Sequence, residues 1–133
     1  VFQYRSGKFW HDDIIGARFG TRIYDRKTCR QSAVLLRLTP ELRTNCLAHR
    51  TQVVYAPDLA VASMLLDCNH GRVIVESGTG SGSATLSFAR SVGPTGHVHT
   101  FENNKARARH AVQEFQQLGV RNVSCYVTDV YRD

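Results

Sequence analysis

The sequence predicts an α/β fold in which a short parallel sheet is joined by crossover helices, and three observations predict it. Val73-Ile-Val75 is a short β-branched run, the mark of a strand buried on both faces of a sheet. Gly78, Gly80 and Gly82 follow at alternate positions, and Ser83 to Val92 then has helical periodicity. The same alternation continues: a strand over His97–Phe101, a helix over Ala106–Leu118 and a strand over Val123–Thr128. A strand that enters a glycine turn opening a helix is the first βα unit of a Rossmann-like fold.

The glycine turn carries the chemistry. A dinucleotide fingerprint, G-x-G-x-x-G, would need glycine at position 83, where Ser83 stands. The spacing is instead E-x-G-x-G-x-G, with Glu76 two residues before the first glycine. A carboxylate there would repel a pyrophosphate and suit a ligand bearing an ammonium group. S-adenosylmethionine (SAM) has an ammonium and a sulfonium and no phosphate, so it is the ligand expected. A nucleotide, or a turn that binds nothing, is the alternative. Glu102 ends the second strand, where a carboxylate can accept both hydroxyls of an adenosine ribose. Asp129 follows the third strand, so Glu76, Glu102 and Asp129 are expected on one edge of the sheet, where ligands bind.

Length and charge bound the rest. At 133 residues and 42% hydrophobic content the chain suits one domain, with room for a small module beside it. No apolar run approaches membrane-spanning length and no signal-peptide pattern opens the sequence, so no membrane association is expected. Cys29, Cys46, Cys68 and Cys125 are scattered without a C-x-x-C pair. They read as reduced thiols of an intracellular protein rather than as a zinc site or a disulfide framework, and no metal is expected. The net charge is +6, and residues 1–50 hold ten Lys/Arg against four acids, while the remainder is balanced at seven each. That concentration is the footprint of a polyanion partner, or of a merely solvated basic face; charge alone does not choose.

Residues 1–50 are expected to form a small β module, with strands over Thr21–Tyr24 and Ala33–Arg37 separated by polar Asp25–Gln31. Phe2, Tyr4, Phe9 and Trp10 interleave with Arg5, Lys8 and His11. Such a mixture can stack bases and hold phosphates, although aromatics in a small β module more often form its core. Thr39-Pro-Glu-Leu predicts a helical turn capped by Thr39, with Pro40 first in the helix. Leu59–Cys68 has helical spacing, Pro57 suits its first turn, and His70-Gly71 closes it. This helix is expected to carry Tyr55 toward the glycine turn. Gly119 is a cap candidate for the helix over Ala106–Leu118.

Several runs together resemble one family. They are Arg5-Ser-Gly…His11-Asp-Asp-Ile-Ile-Gly16, Thr39-Pro-Glu-Leu, Arg50-Thr-Gln-Val-Val-Tyr55 and Glu76-Ser-Gly-Thr-Gly-Ser-Gly-Ser83, followed by Gly93-Pro-Thr-Gly-His-Val-His-Thr-Phe-Glu102 and Thr128-Asp-Val130. The chain resembles the catalytic subunits of tRNA (adenine-58-N1)-methyltransferases over nearly its whole length, more in the wording of the eukaryotic nuclear subunit than of the bacterial enzyme. The resemblance implies a Rossmann-like class I methyltransferase fold, here its first βαβαβ half over 51–133, preceded by the β module of 1–50 as the tRNA-facing part.

It also implies roles. Glu76, Ser77, Gly78, Gly80, Ser81, Gly82 and Ser83 would cradle the methionine part of SAM, and Glu102 the ribose. Arg107 matches an arginine of the cofactor site, and Asp129 and Val130 match the pair flanking the adenine. Gln52, Val53, Val54, Tyr55 and Ala56 match a loop between cofactor and RNA, with Val54 toward the cofactor and Tyr55 nearest the target base. Arg5, Lys8 and His11 would face tRNA. A non-catalytic partner subunit in a heterotetramer is implied, with a homotetramer for the bacterial type. A nuclear location is implied too, or a cytoplasmic one for the bacterial type. The family's catalytic aspartate follows a fourth strand, and the sequence given stops at Asp133. A fragment, inactive alone and with Val73–Val75 at an open sheet edge, is therefore expected. The alternatives are a non-catalytic RNA-binding subunit or truncated product of the same assembly, and a nicotinamide-dependent oxidoreductase.

Overall fold

The computed structural model describes residues 1–5, 7–47 and 51–132; Ser6 and Arg50, which belong to the motifs above, lie outside them. The chain divides into two compact units, Val1–Leu38 and Thr39–Asp133.

The first unit holds two antiparallel hairpins and a short helix. β1 (Phe2–Tyr4) pairs with β2 (Gly7–Phe9), α1 spans His11–Ile14, and β3 (Arg22–Tyr24) pairs with β4 (Ser32–Val34). Of the interleaved aromatics only Phe9 is core; Phe2, Tyr4 and Trp10 are exposed. Ile23 is buried, and so is Asp25, whose carboxylate accepts the Lys27 N–H at 3.1 Å and the Thr28 hydroxyl at 2.9 Å. These bonds close the β3–β4 turn and hold the Asp25 carboxyl below its ordinary range. Asp13 is paired with Arg26, whose guanidinium also lies 5.3 Å from the Trp10 ring centroid.

The second unit opens with α2 (Pro40–Cys46). Thr39 caps it by accepting the Leu42 N–H, and Pro40 stands in the first turn, where its missing N–H costs nothing. The helix belongs to this unit: the Thr44 hydroxyl lies 2.5 Å from that of Ser83, Arg43 pairs with Glu114, and Glu41 pairs with Arg90. Those bonds put the division between units at Leu38 and Thr39, earlier than the boundary expected after residue 50. α3 spans Ala56–Leu65, beginning before the expected Leu59 because Tyr55 acts as its N-cap and Pro57 falls in its first turn. It stops short of Cys68 because Asp67 takes a left-handed backbone, φ 49°.

The sheet is three-stranded and parallel, in the order β5 (Val73–Ser77), β6 (His97–Glu102), β7 (Val123–Val127). α4 (Ser83–Val92) and α5 (Lys105–Gln117) are the crossovers, and both supply core on one face. Leu59, Ile74, Phe88, Val92 and Val98 form one cluster; Leu86, Ala111 and Phe115 form a second. The expectation that Val73–Val75 is buried on both faces fails. Ile74 is buried, but Val73 and Val75 are 62% and 70% exposed. The strand lies at the sheet edge, as expected, and it alternates because, among the described residues, helix core packs against only one of its faces.

Candidate functional site

The turn between β5 and α4 is fixed by its own backbone. The N–H groups of Gly78 and Thr79 donate to the Phe101 carbonyl at 2.8 and 3.2 Å, and the Gly82 N–H donates to the Thr79 carbonyl at 2.8 Å. Gly82, at φ 75°, is the N-cap of α4, and Gly93, at φ 69°, ends the helix. These two left-handed residues place α4 at the boundaries expected from the sequence.

Glu102 is the centre of the site. It is 3% exposed, and Oε2 accepts the Gly80 N–H at 3.0 Å. Oε1 accepts the Asn104 N–H at 2.9 Å and two guanidinium N–H groups of Arg107, at 3.1 Å from Nε and 2.8 Å from Nη2. Burial pushes its carboxyl up, but Arg107 and the two backbone N–H groups outweigh burial and hold it below its ordinary range. The carboxylate therefore ties the glycine turn, the end of β6 and the start of α5 together. Asn104 also caps α5, its side chain accepting the N–H groups of Ala106 and Arg107. A cap before the periodic run at Ala106 was readable in the sequence but was missed.

Glu76 sits lower than expected. It pairs across the sheet with Thr100, whereas Glu102 pairs with Val127. It is thus two residues short of the Glu102 level, on the face that carries Ile74 and Val98. The Thr85 hydroxyl of α4 donates to its Oε2 at 2.5 Å. Burial pushes its carboxyl above the ordinary range against hydrogen bonding from Thr85 and Thr100. Asp129 lies just beyond β7 and accepts the Tyr131 N–H at 3.1 Å; Val130 beside it is exposed. The three acids are brought to one end of the sheet, but not to one level.

Thr51 lies against the turn. The Thr51 hydroxyl is 3.5 Å from where a Cβ on Gly80 would stand, and it is buried with no hydrogen-bond partner. A cavity of about 100 Å³ opens there among Thr51, Gly80, Ser81, Arg107 and His110. Val53 is buried, whereas Gln52, Val54, Tyr55 and Ala56 are exposed, Tyr55 at the N-terminus of α3. Ser77 and Gly78 are exposed, Ser81 is half-buried, and Ser83 is buried against Thr44. A larger cavity, about 230 Å³, lies between α2, α3 and α4, below the strand tips, and holds none of the acids of those tips.

In the first unit Arg5, Lys8 and His11 are all exposed: Arg5 at the β1–β2 turn, Lys8 in β2 and His11 at the start of α1. The four cysteines are free, and among the described residues no group of three or more His, Cys, Asp or Glu side chains is arranged to hold a metal ion.

Comparison with known proteins places this geometry. The chain is 42% identical over 123 residues to the tRNA (adenine(58)-N(1))-methyltransferase catalytic subunit TRM61 of Cryptococcus neoformans var. neoformans serotype D, an alignment that covers 92% of this chain and 28% of that protein. The chain thus spans under a third of that relative's length. Among solved structures it superposes on a SAM-dependent O-methyltransferase from Thermotoga maritima with TM-score 0.84 and 25% identity, over 97% of this chain and 48% of the other. It superposes on the tRNA (m1A58) methyltransferase TrmI from Aquifex aeolicus with TM-score 0.79 and 21% identity, over 99% and 50%, a likeness of fold. The fold is that of the class I SAM-dependent methyltransferases, in α/β form with small antiparallel strands before the parallel sheet. Residues 32–133 match the family described as "tRNA methyltransferase complex GCD14 subunit", and the chain belongs to that family.

Proposed function

We propose that this chain binds SAM and forms the cofactor half of a tRNA methyltransferase that methylates N1 of adenine 58 in the T-loop. The observation that carries the reading is the Gly78–Gly82 turn bonded to Glu102 at the tip of β6, in a chain of this family. SAM supplies an electrophilic sulfonium methyl when bound. The residues fit it. Gly80 leaves a cradle that a Cβ would narrow, at φ 53°, and the unpartnered Thr51 hydroxyl lies beside it. Ser77, Gly78, Gly80, Ser81, Gly82 and Ser83 would hold the amino-acid end. Glu102 and Arg107 would take the ribose, and Asp129 and Val130 the adenine. Glu76 would act from beneath the turn as a half-buried negative charge facing the ammonium end.

Arg107 occupies Oε1 of Glu102, so a ribose diol has to share that oxygen with the guanidinium or displace it. The chain's contribution to rate is placement. A target adenine held by the Gln52–Ala56 segment, with Tyr55 nearest, would present N1 to the methyl in line, and fixed geometry of this kind lowers the barrier by removing entropy cost. Arg5, Lys8 and His11 would supply phosphate contacts to tRNA. The family description, a subunit of a complex, supports a non-catalytic partner subunit. We place the assembly in the nucleus as a heterotetramer.

Titrating S-adenosylhomocysteine (SAH) and a nicotinamide dinucleotide into the chain tests the cofactor: heat with SAH alone is expected, and heat with the dinucleotide alone contradicts the reading. Radiolabelled transfer to unmodified tRNA, by the protein that contains this stretch together with its partner, tests the substrate. Label at an adenine N1 is expected, and label elsewhere contradicts it.

A further inference from the structure

Beneath the glycine turn lies a row of polar side chains of which the cofactor reading uses only Glu76. Glu76, Thr100 and Cys125 stand in register across β5, β6 and β7, one residue per strand on the helix-covered face. The Thr79 side chain descends from the turn onto this row: its hydroxyl lies 2.7 Å from that of Thr100 and 3.7 Å from the Cys125 sulfur. Thr79 and Thr100 are buried, Thr100 completely.

The proton count gives the row a direction. Each threonine hydroxyl has one proton to donate and lone pairs to accept. Burial, reinforced by the negative charges of Glu102 and Glu76, pushes the Cys125 thiol up, so it keeps its proton and can donate. Hydrogen bonding from Thr100 bears on the Glu76 carboxyl, which when ionised can only accept. With Glu76 ionised, the arrangement that uses every contact runs one way. Cys125 S–H donates to Thr79, Thr79 O–H to Thr100, and Thr100 O–H to Glu76, with Thr85 donating to Glu76 from α4.

We infer that Thr79 is a positioning residue for the cofactor, clasped onto the Glu76–Thr100–Cys125 row so that the next residue, Gly80, presents its N–H to Glu102. The step from clasp to site is one peptide long. Thr79 cannot move without moving the Gly80 N–H, which donates to Glu102 Oε2, or the Thr79 carbonyl, which accepts the Gly82 N–H. A buried hydroxyl that loses its partner is left with its full desolvation cost, so the clasp is hard to open while both threonines stand. The inference rests on the cofactor reading for its purpose, but not for its geometry.

The test is Thr79→Val, which keeps the shape and removes the hydroxyl, against Thr79→Ser, which keeps the hydroxyl. Amide hydrogen exchange and SAH calorimetry are read on each. Thr79→Val is expected to speed exchange at the Gly80 and Gly82 amides about tenfold and to weaken SAH about tenfold, while the Val98 amide in mid-sheet is unchanged. Thr79→Ser is expected to restore both to within about threefold of the original chain. If Thr79→Val fails to fold, Thr100→Val removes the acceptor from the other side and should give the same pattern. Wild-type exchange at Gly80 in the valine variant, or serine as damaging as valine, overturns the inference. Should the unaltered chain bind no SAH, the cofactor reading fails by itself, and the Gly80 exchange still decides whether Thr79 positions the turn.

Discussion

Replacing Gly82 by alanine should damage this fold more than any other single methyl addition at the turn, and the structure allows the damage to be worked out. A Cβ built on Gly82 would stand 2.6 Å from Cε1 and 2.8 Å from Cζ of Phe115, whose ring is buried against Leu86 and Ala111. Neither partner can retreat cheaply, because Gly82 is the N-cap of α4 and the ring fills the second core cluster. Holding a residue with a Cβ at φ 75° costs roughly 1–2 kcal/mol. Overpacking a closed core adds roughly 1–3 kcal/mol. Alanine returns about 0.4–1 kcal/mol by restricting the unfolded chain. The net loss is about 1–5 kcal/mol, set against the 5–15 kcal/mol typical of a domain. Urea unfolding with a common slope reads it directly. Phe115→Leu in the Gly82→Ala background should recover about 1–2 kcal/mol relative to additivity, since the clash goes and the backbone strain stays. A loss under about 1 kcal/mol, or strict additivity with Phe115→Leu, would refute the assigned contact.

Four further predictions follow from the site and its surroundings. Asn104→Ala should cost about 1 kcal/mol in urea unfolding by uncapping α5, and a loss near zero would show that the cap is not needed. Glu41, hydrogen-bonded by Arg90, has its pKa lowered from 4.5 to about 2. A depressed carboxyl gives stability that is complete above its unfolded value and fades as pH falls from about 4.5 to about 2. Since the side chains of Arg90 and Glu41 are 51% and 37% exposed, solvent screening holds the gain to about 1 kcal/mol at most, and Glu41→Gln should flatten acid unfolding in that window. Glu76 is shifted the other way by burial, so it withdraws stability as pH rises above its ordinary value; Glu76→Gln should raise stability at neutral pH while weakening SAH, and a drop in stability would reverse the sign assigned here. Charge reversal of Arg5 and Lys8 together should flatten the slope of log tRNA affinity against log salt by a little under one unit per lost phosphate contact, and an unaltered slope would leave that face merely solvated.

Local signals reached as far as local physics did. The α4 boundaries were legible because glycines with left-handed backbones stand at both ends, and the sequence prints both. Thr39-Pro40 announced α2 for the same kind of reason, but not that the helix runs to Cys46, since Thr44 and Arg43 are held by Ser83 and Glu114 far along the chain. Glu102 was found from its place at a strand end, yet its occupation by Arg107, Asn104 and Gly80 depends on how β6 meets the turn. The burial of Val73 and Val75 was misjudged because composition records a β-branched strand and cannot record that, among the described residues, helix core lies against one face of it only. Thr79, Thr100 and Cys125 carried no signal at all: they are 21 and 46 residues apart along the chain and meet only through strand register. In the first unit the three-residue strands β1 and β2 are too short for alternation to show, and only Phe9 of their aromatics proved to be core.

The most direct measurement is calorimetric titration of SAH into the chain and into its Glu102→Ala variant, with circular dichroism confirming that both are folded. One saturable site is expected in the unaltered chain, with affinity at least about tenfold weaker in the variant, a loss of about 1.4 kcal/mol. No SAH binding by the folded chain, or equal affinity in the two, would contradict the cofactor reading.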